Sequence, residues 1–391
     1  MAAAQQTANP ADETHEEFHD DIIYPEAIPF VLLHLAAFAA IWTGVTTGTL
    51  VLCLVLYVVR MFGVTGGYHR YFSHRTFKTS RVFQFMLAFL AQSSAQRGIM
   101  WWAGKHRHHH KHSDTPEDIH SPRHRGFLYS HVGWIFKRDQ GETDHDAVPD
   151  LAKYPELVWL DKHQYFPATV LGIACFALGG WTGLVVGFVW STVLLYHGTF
   201  FINSLAHVHG NQRYVTGDDS RNNWWLAIIT LGEGWHNNHH AYQRSTRQGF
   251  RWYEVDPTFY ALTMMSWMKL VSELGEPPED VVQNERRLGR AVVEKVARQL
   301  AASFPVDAIA HRVREAALQV HEMHPIDDAR ERMARLVAEL QHVHLPTTAE
   351  IRAAAERMLA STPSMDEIVA RARDHIAELV SARVLPELTP A

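Results

Sequence analysis

Two long stretches of this chain carry no charged side chain, and few folds tolerate that. From Ala27 to Val59 there is no Asp, Glu, Lys or Arg, and the apolar character runs past Arg60 to about Gly66. The second stretch, His163 to Gln212, is equally bare of charge. One bilayer crossing needs roughly 20 apolar residues, so each stretch is long enough for two. Gly44 and Gly48 offer a turn in the first, and Gly179 and Gly180 mark the middle of the second. The expected spans are residues 27–44, 47–66, 164–179 and 182–206. A single long tilted helix is the alternative for the first stretch. Arg60 then either snorkels or faces the protein interior.

Histidines lie between these stretches in a pattern. The segment WWAGKHRHHHKHSD holds His106, His109 and His110 at offsets zero, three and four. On a helix those offsets put three imidazoles on one face. The spacing recurs at His236, His239 and His240 in GEGWHNNHH, and a looser pair, His69 and His74, lies in GYHRYFSH. The run from His106 to His112 alone fits a surface metal-sequestering tract. Two separate triplets with a third pair at the end of an apolar segment point instead to one built metal site. Eight histidines exceed what one ion can use, so two ions are implied. Nitrogen ligation without thiolate puts iron first and zinc second. Cys53 and Cys175 sit inside the apolar stretches, which argues against a disulfide framework or a thiolate site.

His108 and His112 point off the shared face. His207 closes the second apolar stretch in NSLAH, one helical turn from Asn203. His207 is thus a candidate ninth ligand, and Asn203 a candidate holder of a metal-bound water. His197 and His209 read better as packed or interfacial residues. Asp114, Asp118 and Glu233 adjoin the clusters and are candidates to orient ligating rings through their second nitrogen.

If the clusters share one centre they lie on one side of the bilayer, so the second stretch must cross twice. Arg70, Arg75, Lys78, Arg81, Arg97, Lys105, Arg107 and Lys111 crowd the cluster side, which the positive-inside rule assigns to the cytoplasm, together with both termini. The same parity makes Val82 to Met100 an interfacial or buried helix rather than a crossing. Residues 1–26 read as an acidic mobile leader without a signal peptide. Residues 27–275 form the membrane domain, with 115–162 and 241–275 as a soluble helical cap and Phe259 to Leu274 lying against the membrane. Residues 276–391 shift to Ala, Arg, Glu and Leu at helical spacing, with Pro305, Pro325, Pro346 and Pro363 each preceding an amphipathic run. They read as a soluble helical appendage. The fold class is therefore all-α and integral to the membrane. The net charge of −6 gives no sign of a nucleic-acid partner.

HRYFSH, HRHHHKHSD, NSLAH and GEGWHNNHH resemble the histidine boxes of the membrane acyl-CoA desaturases of the stearoyl-CoA delta-9 type, here of bacterial kind. The similarity runs from about Gly63 to His240 and includes RGFLYSHVGWIF. The resemblance implies four transmembrane helices under a cytoplasmic cap and a di-iron centre. Its ligands would be His69, His74, His106, His109, His110, His207, His236, His239 and His240, with Asn203 through water. It implies consumption of O2 and two electrons to place a cis double bond in a saturated acyl chain. Lys137 and Arg138 stand where the family has basic residues near the coenzyme A phosphates. The expected carrier is coenzyme A, although Gly104-Lys105 replaces the Arg-Asp of the animal members, which keeps phospholipid and acyl carrier protein as alternatives.

A methylene C–H offers no acid and no leaving group, so selectivity must come from a tunnel that measures distance along the chain. Trp101, Trp102, Trp224, Trp225 and Phe200 are candidate walls. A membrane hydroxylase of alkanes or carotenoids is the rival within the same metal chemistry, and a metal-binding or transport protein the rival outside it. No haem, iron–sulfur or nicotinamide motif is visible in the sequence. A separate ferredoxin or cytochrome with its reductase is the expected electron donor.

Overall fold

A computed structural model describes residues 27–137, 142–322 and 329–388. The leader (residues 1–26) and Arg138 lie outside the described residues. The chain divides into two compact units, one of residues 1–211 and 218–277, the other of 212–217 and 278–391.

In the first unit the apolar stretches are helical, and their glycines break them where expected. The helix Ile28–Ala37 is followed by a short Ala40–Thr43 turn, and Gly44 takes φ of +77°. Thr46 then opens the helix Thr47–Phe62 with a reciprocal capping box to Thr49. In the second stretch Gly180, at φ +59°, interrupts the helix Phe166–Thr182, and the chain continues through Gly183–Trp190 into Ser191–Asn203. The two arms fold back on each other, for Gly172 lies against Leu184 and Phe188. Two helical stretches, Thr47–Ser73 and Phe166–His207, are long and apolar enough to cross a membrane, and Ile28–Thr43 is a shorter apolar one.

Arg60 faces the interior. It is buried, and its guanidinium donates to the carbonyls of Leu56 and Ser93 and to the hydroxyls of Thr192 and Ser191, tying both apolar stretches to the loop after residue 92. The expected helix over Val82–Met100 is shorter, ending at Gln92. Ala95 and Arg97 take left-handed backbones (φ +59° and +71°), which no α-helix can accommodate. The chain becomes helical again at Ile99–His112. Gly98 offers that helix no capping side chain, so Gln92 Oε1 accepts from Ile99 N–H at 3.2 Å and Asp161 Oδ1 from Met100 N–H at 2.8 Å. Met61, Tyr68, Leu87, Ile99, Leu157 and Leu160 form one buried core that clamps these segments together. The only ladder among the described residues pairs Lys78–Thr79 with Val271–Ser272. The helix Pro257–Trp267 leaves Met264 and Trp267 exposed.

The second unit packs the helices Arg290–Ala302, Val306–Glu322, Thr348–Met358 and Met365–Leu388 around Val296, Leu300, Ile309, Ile351 and Ile368. Pro305, Pro346 and Pro363 precede helix starts there, while Pro325 lies outside the described residues.

Candidate metal centre

The first histidine pair is five residues apart, a spacing an α-helix would spread over different faces. The chain solves this by changing helix type. Gly63–Ser73 is a π-helix, whose i→i+5 bonding brings such residues together. The His74 amide donates to the His69 carbonyl at 3.2 Å, and the two rings lie 4.9 Å apart.

The second triplet rides on Ile99–His112. Trp102 stacks between Tyr68 and His106, with ring separations of 5.2 and 4.9 Å. Arg107, on the same helix, forms paired bonds to Asp150 and donates to the carbonyls of Phe72 and Ser73. It thereby locks the helix to the first pair. The third triplet occupies the short helix His236–Ala241, entered through the left-handed Leu231 and Gly232. His207 arrives on the 3₁₀ turn Leu205–His207.

All nine histidines meet in two groups. Ring nitrogens of His69, His74, His106, His110 and His239 lie within 4.8 Å of one another, and those of His109, His207, His236 and His240 do the same. Nε2 atoms face each other at 3.0 Å for His69 and His239, 2.9 Å for His74 and His106, and 3.0 Å for His207 and His236. His109 and His110, adjacent on one helix, divide between the groups. Asn203 lines the cavity beside them.

The rings are held from behind by carboxylates. His207 Nδ1 lies 2.8 Å from Asp114 Oδ2, His109 Nδ1 3.1 Å from both oxygens of Asp118, and His240 Nδ1 2.8 Å from Asp218 Oδ2. His69 Nδ1 pairs closely with Glu233. Each carboxylate can only accept, so it fixes the Nδ1–H tautomer and turns the Nε2 lone pair inward. Burial pushes Asp114, Asp118, Asp218 and Glu233 up, but the facing imidazoles outweigh it and hold all four below the usual carboxylate range. Burial, helped by crowding among the rings, pushes His74, His106, His110, His236 and His239 well below the usual imidazole range. These rings are neutral donors at pH 7.

The donor set fits cations. Ring nitrogens from five and from four buried imidazoles converge in the two groups, and His240 Nε2 is buried without a hydrogen-bond partner among the described residues, so each group offers lone pairs to a cation between its rings. No thiolate contributes, since Cys53 and Cys175 are buried in the apolar helices.

Three residues of this shell were not visible in the sequence. Asp218 is 22 positions from the ring it orients. Gln248 places Nε2 3.3 Å from His69 Nδ1 and 3.2 Å from Glu233. His120 lies 4.5 Å from His109, near Asp118, with its pKa lowered to about 3 by burial and then by His109. Among those set aside, His108 stacks on His112 and faces the Glu117 carbonyl. His197 bonds to His131 and His34.

A cavity leads from this centre. Trp101, Trp102, Trp134 and Phe200 line it, and His106, His120 and Asn203 close its inner end. Trp224 and Trp225 are not part of it: they follow Asn223, which caps a short helix, and that helix turns them outward at 66% and 36% exposure. Lys137 follows the turn bearing Trp134 and Ile135 without lining the cavity, whose cationic lining residues are Arg97 and Lys105.

The fatty acid desaturase family model matches residues 41–263. The sn-1 stearoyl-lipid 9-desaturase of Synechocystis sp. is 36% identical over 270 residues, 66% of this chain and 81% of the relative. The enzyme of the same description from Anabaena variabilis is 37% identical over 248 residues, 63% and 91% of the two chains. An acyl-CoA 5-desaturase of Anemone leveillei is 35% identical over 232 residues, 58% and 72%.

Proposed function

The chain belongs to the fatty acid desaturase family and is an oxidoreductase that desaturates fatty acyl chains; on that premise we propose that its two histidine groups hold a pair of iron ions. The meeting of nine buried imidazoles in two groups carries this reading. The first ion falls to His69, His74, His106, His110 and His239. The second falls to His109, His207, His236 and His240, with Asn203 completing its shell through water. Asp114, Asp118, Asp218 and Glu233 orient the rings.

The irons, with O2, supply the oxidising power that an unactivated methylene demands. The chain supplies placement. Trp101 and Trp102 form the wall beside His106, so that an extended acyl chain lies against the centre with water excluded. Regiochemistry is then set by how many methylenes fit between the interface and His106. We assign the double bond to the delta-9 position, as in the names of the two stearoyl-lipid relatives. Relatives named for lipid-linked and for coenzyme A-linked acyl chains both match. Electrons come from a separate ferredoxin or cytochrome with its reductase.

The two glycine-broken apolar stretches make four spans, which leave the histidine centre and both termini on the cytoplasmic side of a bacterial membrane. Residues 276–391 form a separate helical appendage. Expression in a host lacking unsaturated fatty acids, followed by mass spectrometry of its lipids, tests the reading. A cis alkene is expected, whereas an alcohol would make the protein a hydroxylase and an unchanged lipid profile would remove the enzymatic assignment.

A further inference from the structure

The cavity that ends on His106 and Asn203 has a neighbour on the apolar helices. A groove between Ile28–Ala37 and Phe166–Thr182 shares four lining residues with it, namely Pro29, Ala95, Tyr165 and Tyr196. Those four form a common wall. Beyond them the groove runs outward over Thr169, Gly172 and Phe176 to Trp181. Ile173 and Trp181 on this outer part are each 65% exposed, on helices assigned above to the bilayer, where such faces meet lipid.

We infer that the acyl chain reaches the histidine centre sideways from the bilayer through this groove, and that the substrate is an acyl chain esterified in a membrane glycerolipid. This rests on the desaturase reading of the same site.

Two features support it. First, apart from the hydroxyls of Thr169 and two tyrosines, the groove is lined by apolar side chains as far as the wall it shares with the cavity. Withdrawing a chain into water costs free energy for every methylene exposed, so a route through the groove spares a long chain that exposure. A glycerolipid already sits with its chain at that depth.

Second, the wall is held by a removable contact. The Tyr196 hydroxyl donates to the Ala95 carbonyl at 2.8 Å, and Gln96 Nε2 donates to Thr199 Oγ1 at 3.0 Å. Ala95 and Arg97 both keep left-handed backbones, which residues with a Cβ seldom adopt. Tyr68 holds the same segment from the other side, its hydroxyl donating to the Arg97 carbonyl at 2.6 Å, so the backbone stays fixed and a turn of the Tyr196 ring, which lines both spaces, would join them.

Photocrosslinking tests this without metal or turnover. The full chain is reconstituted in vesicles containing phosphatidylglycerol with a diazirine midway along its sn-1 stearoyl chain, irradiated, and mapped by mass spectrometry. Adducts are expected both on the groove, at Ile173 or Phe176, and in the cavity, at Trp101 or Phe200. Thr169→Trp, on an exposed groove residue, should cut the cavity adducts about tenfold relative to groove adducts. Val170→Trp, equally bulky on the same helix but outside the groove, should leave that ratio unchanged. Adducts confined to outer helix faces, or an unchanged ratio in Thr169→Trp, overturn the inference. A parallel assay of the iron-loaded protein, supplied with O2 and a ferredoxin kept reduced by its reductase, compares stearoyl-phosphatidylglycerol vesicles with stearoyl-CoA. Conversion of the lipid supports the route. Conversion of the thioester alone overturns it while leaving the desaturase reading intact, and conversion of neither overturns both.

Discussion

His240 and Asp218 are bonded at 2.8 Å between Nδ1 and Oδ2, both side chains almost fully buried, while His240 Nε2, in the second histidine group, has no hydrogen-bond partner among the described residues. The carboxylate decides which nitrogen keeps the proton and hence which faces the metal.

Asp218→Asn keeps the shape but removes the charge. A carboxylate that orients a ligating ring in this way contributes about 10- to 100-fold to metal affinity. The variant should lose about half of the bound iron on dialysis against a weak chelator, while the wild type retains it. Equal retention in the two proteins would make Asp218 a purely structural residue.

His239→Ala and His108→Ala separate ligand from bystander. His239 faces His69 and His110 at 3.0 Å, whereas His108 faces a backbone carbonyl outside both groups. Alkene formation and iron binding should both collapse in the first variant and persist in the second. Product formation by the His239 variant would remove it from the ligand set.

How much of this could be read from residue order depends on the distance over which each cue acts. The triplets at His106 and His236 were legible because three- and four-residue spacing is a property of the helix itself. The His69–His74 pair was legible only as a looser echo, since its spacing makes sense on a π-helix and not on an α-helix. The hinge glycines, Gly44 and Gly180, were visible for the same local reason. Asp218 and Gln248 were not, because only folding brings them to His240 and His69. Arg97 and Lys105 were likewise missed as cavity residues, and the left-handed backbones at Ala95 and Arg97, which shorten the helix after Ser80, carry no glycine to announce them.

Acid should destabilise the metal-free protein. Burial holds His106, His110, His236 and His239 below their unfolded value of about 6.5. Between the two values the unfolded chain binds more protons than the folded one, so stability falls as pH drops through about 6.5. His207, lowered by burial but raised overall to about 9 by Asp114, works the other way but is one ring against four, and the depressed carboxylates lose their contribution only at lower pH. Differential scanning fluorimetry in detergent, with chelator present, should show a lower Tm at pH 5.5 than at pH 7.5. A Tm that rises on acidification would contradict the burial of neutral rings.

Arg60→Ala leaves Ser93, Ser191 and Thr192 without the donor that joins them. Hydrogen bonds from a charged donor are worth about 1.5–3 kcal/mol each before losses elsewhere, so a net cost of about 2–4 kcal/mol is expected. Thermal aggregation of the detergent-solubilised variant should start at distinctly lower temperature than that of the wild type. An unchanged onset would show that the two apolar stretches hold together without this side chain.

The central claim is that two metal ions sit in two separate histidine groups. Anomalous scattering at the iron absorption edge from crystals of the aerobically purified, full-length protein tests it most directly. Two peaks are expected, one enclosed by His69, His74, His106, His110 and His239, the other by His109, His207, His236 and His240. A single peak, or none within either group, would contradict it.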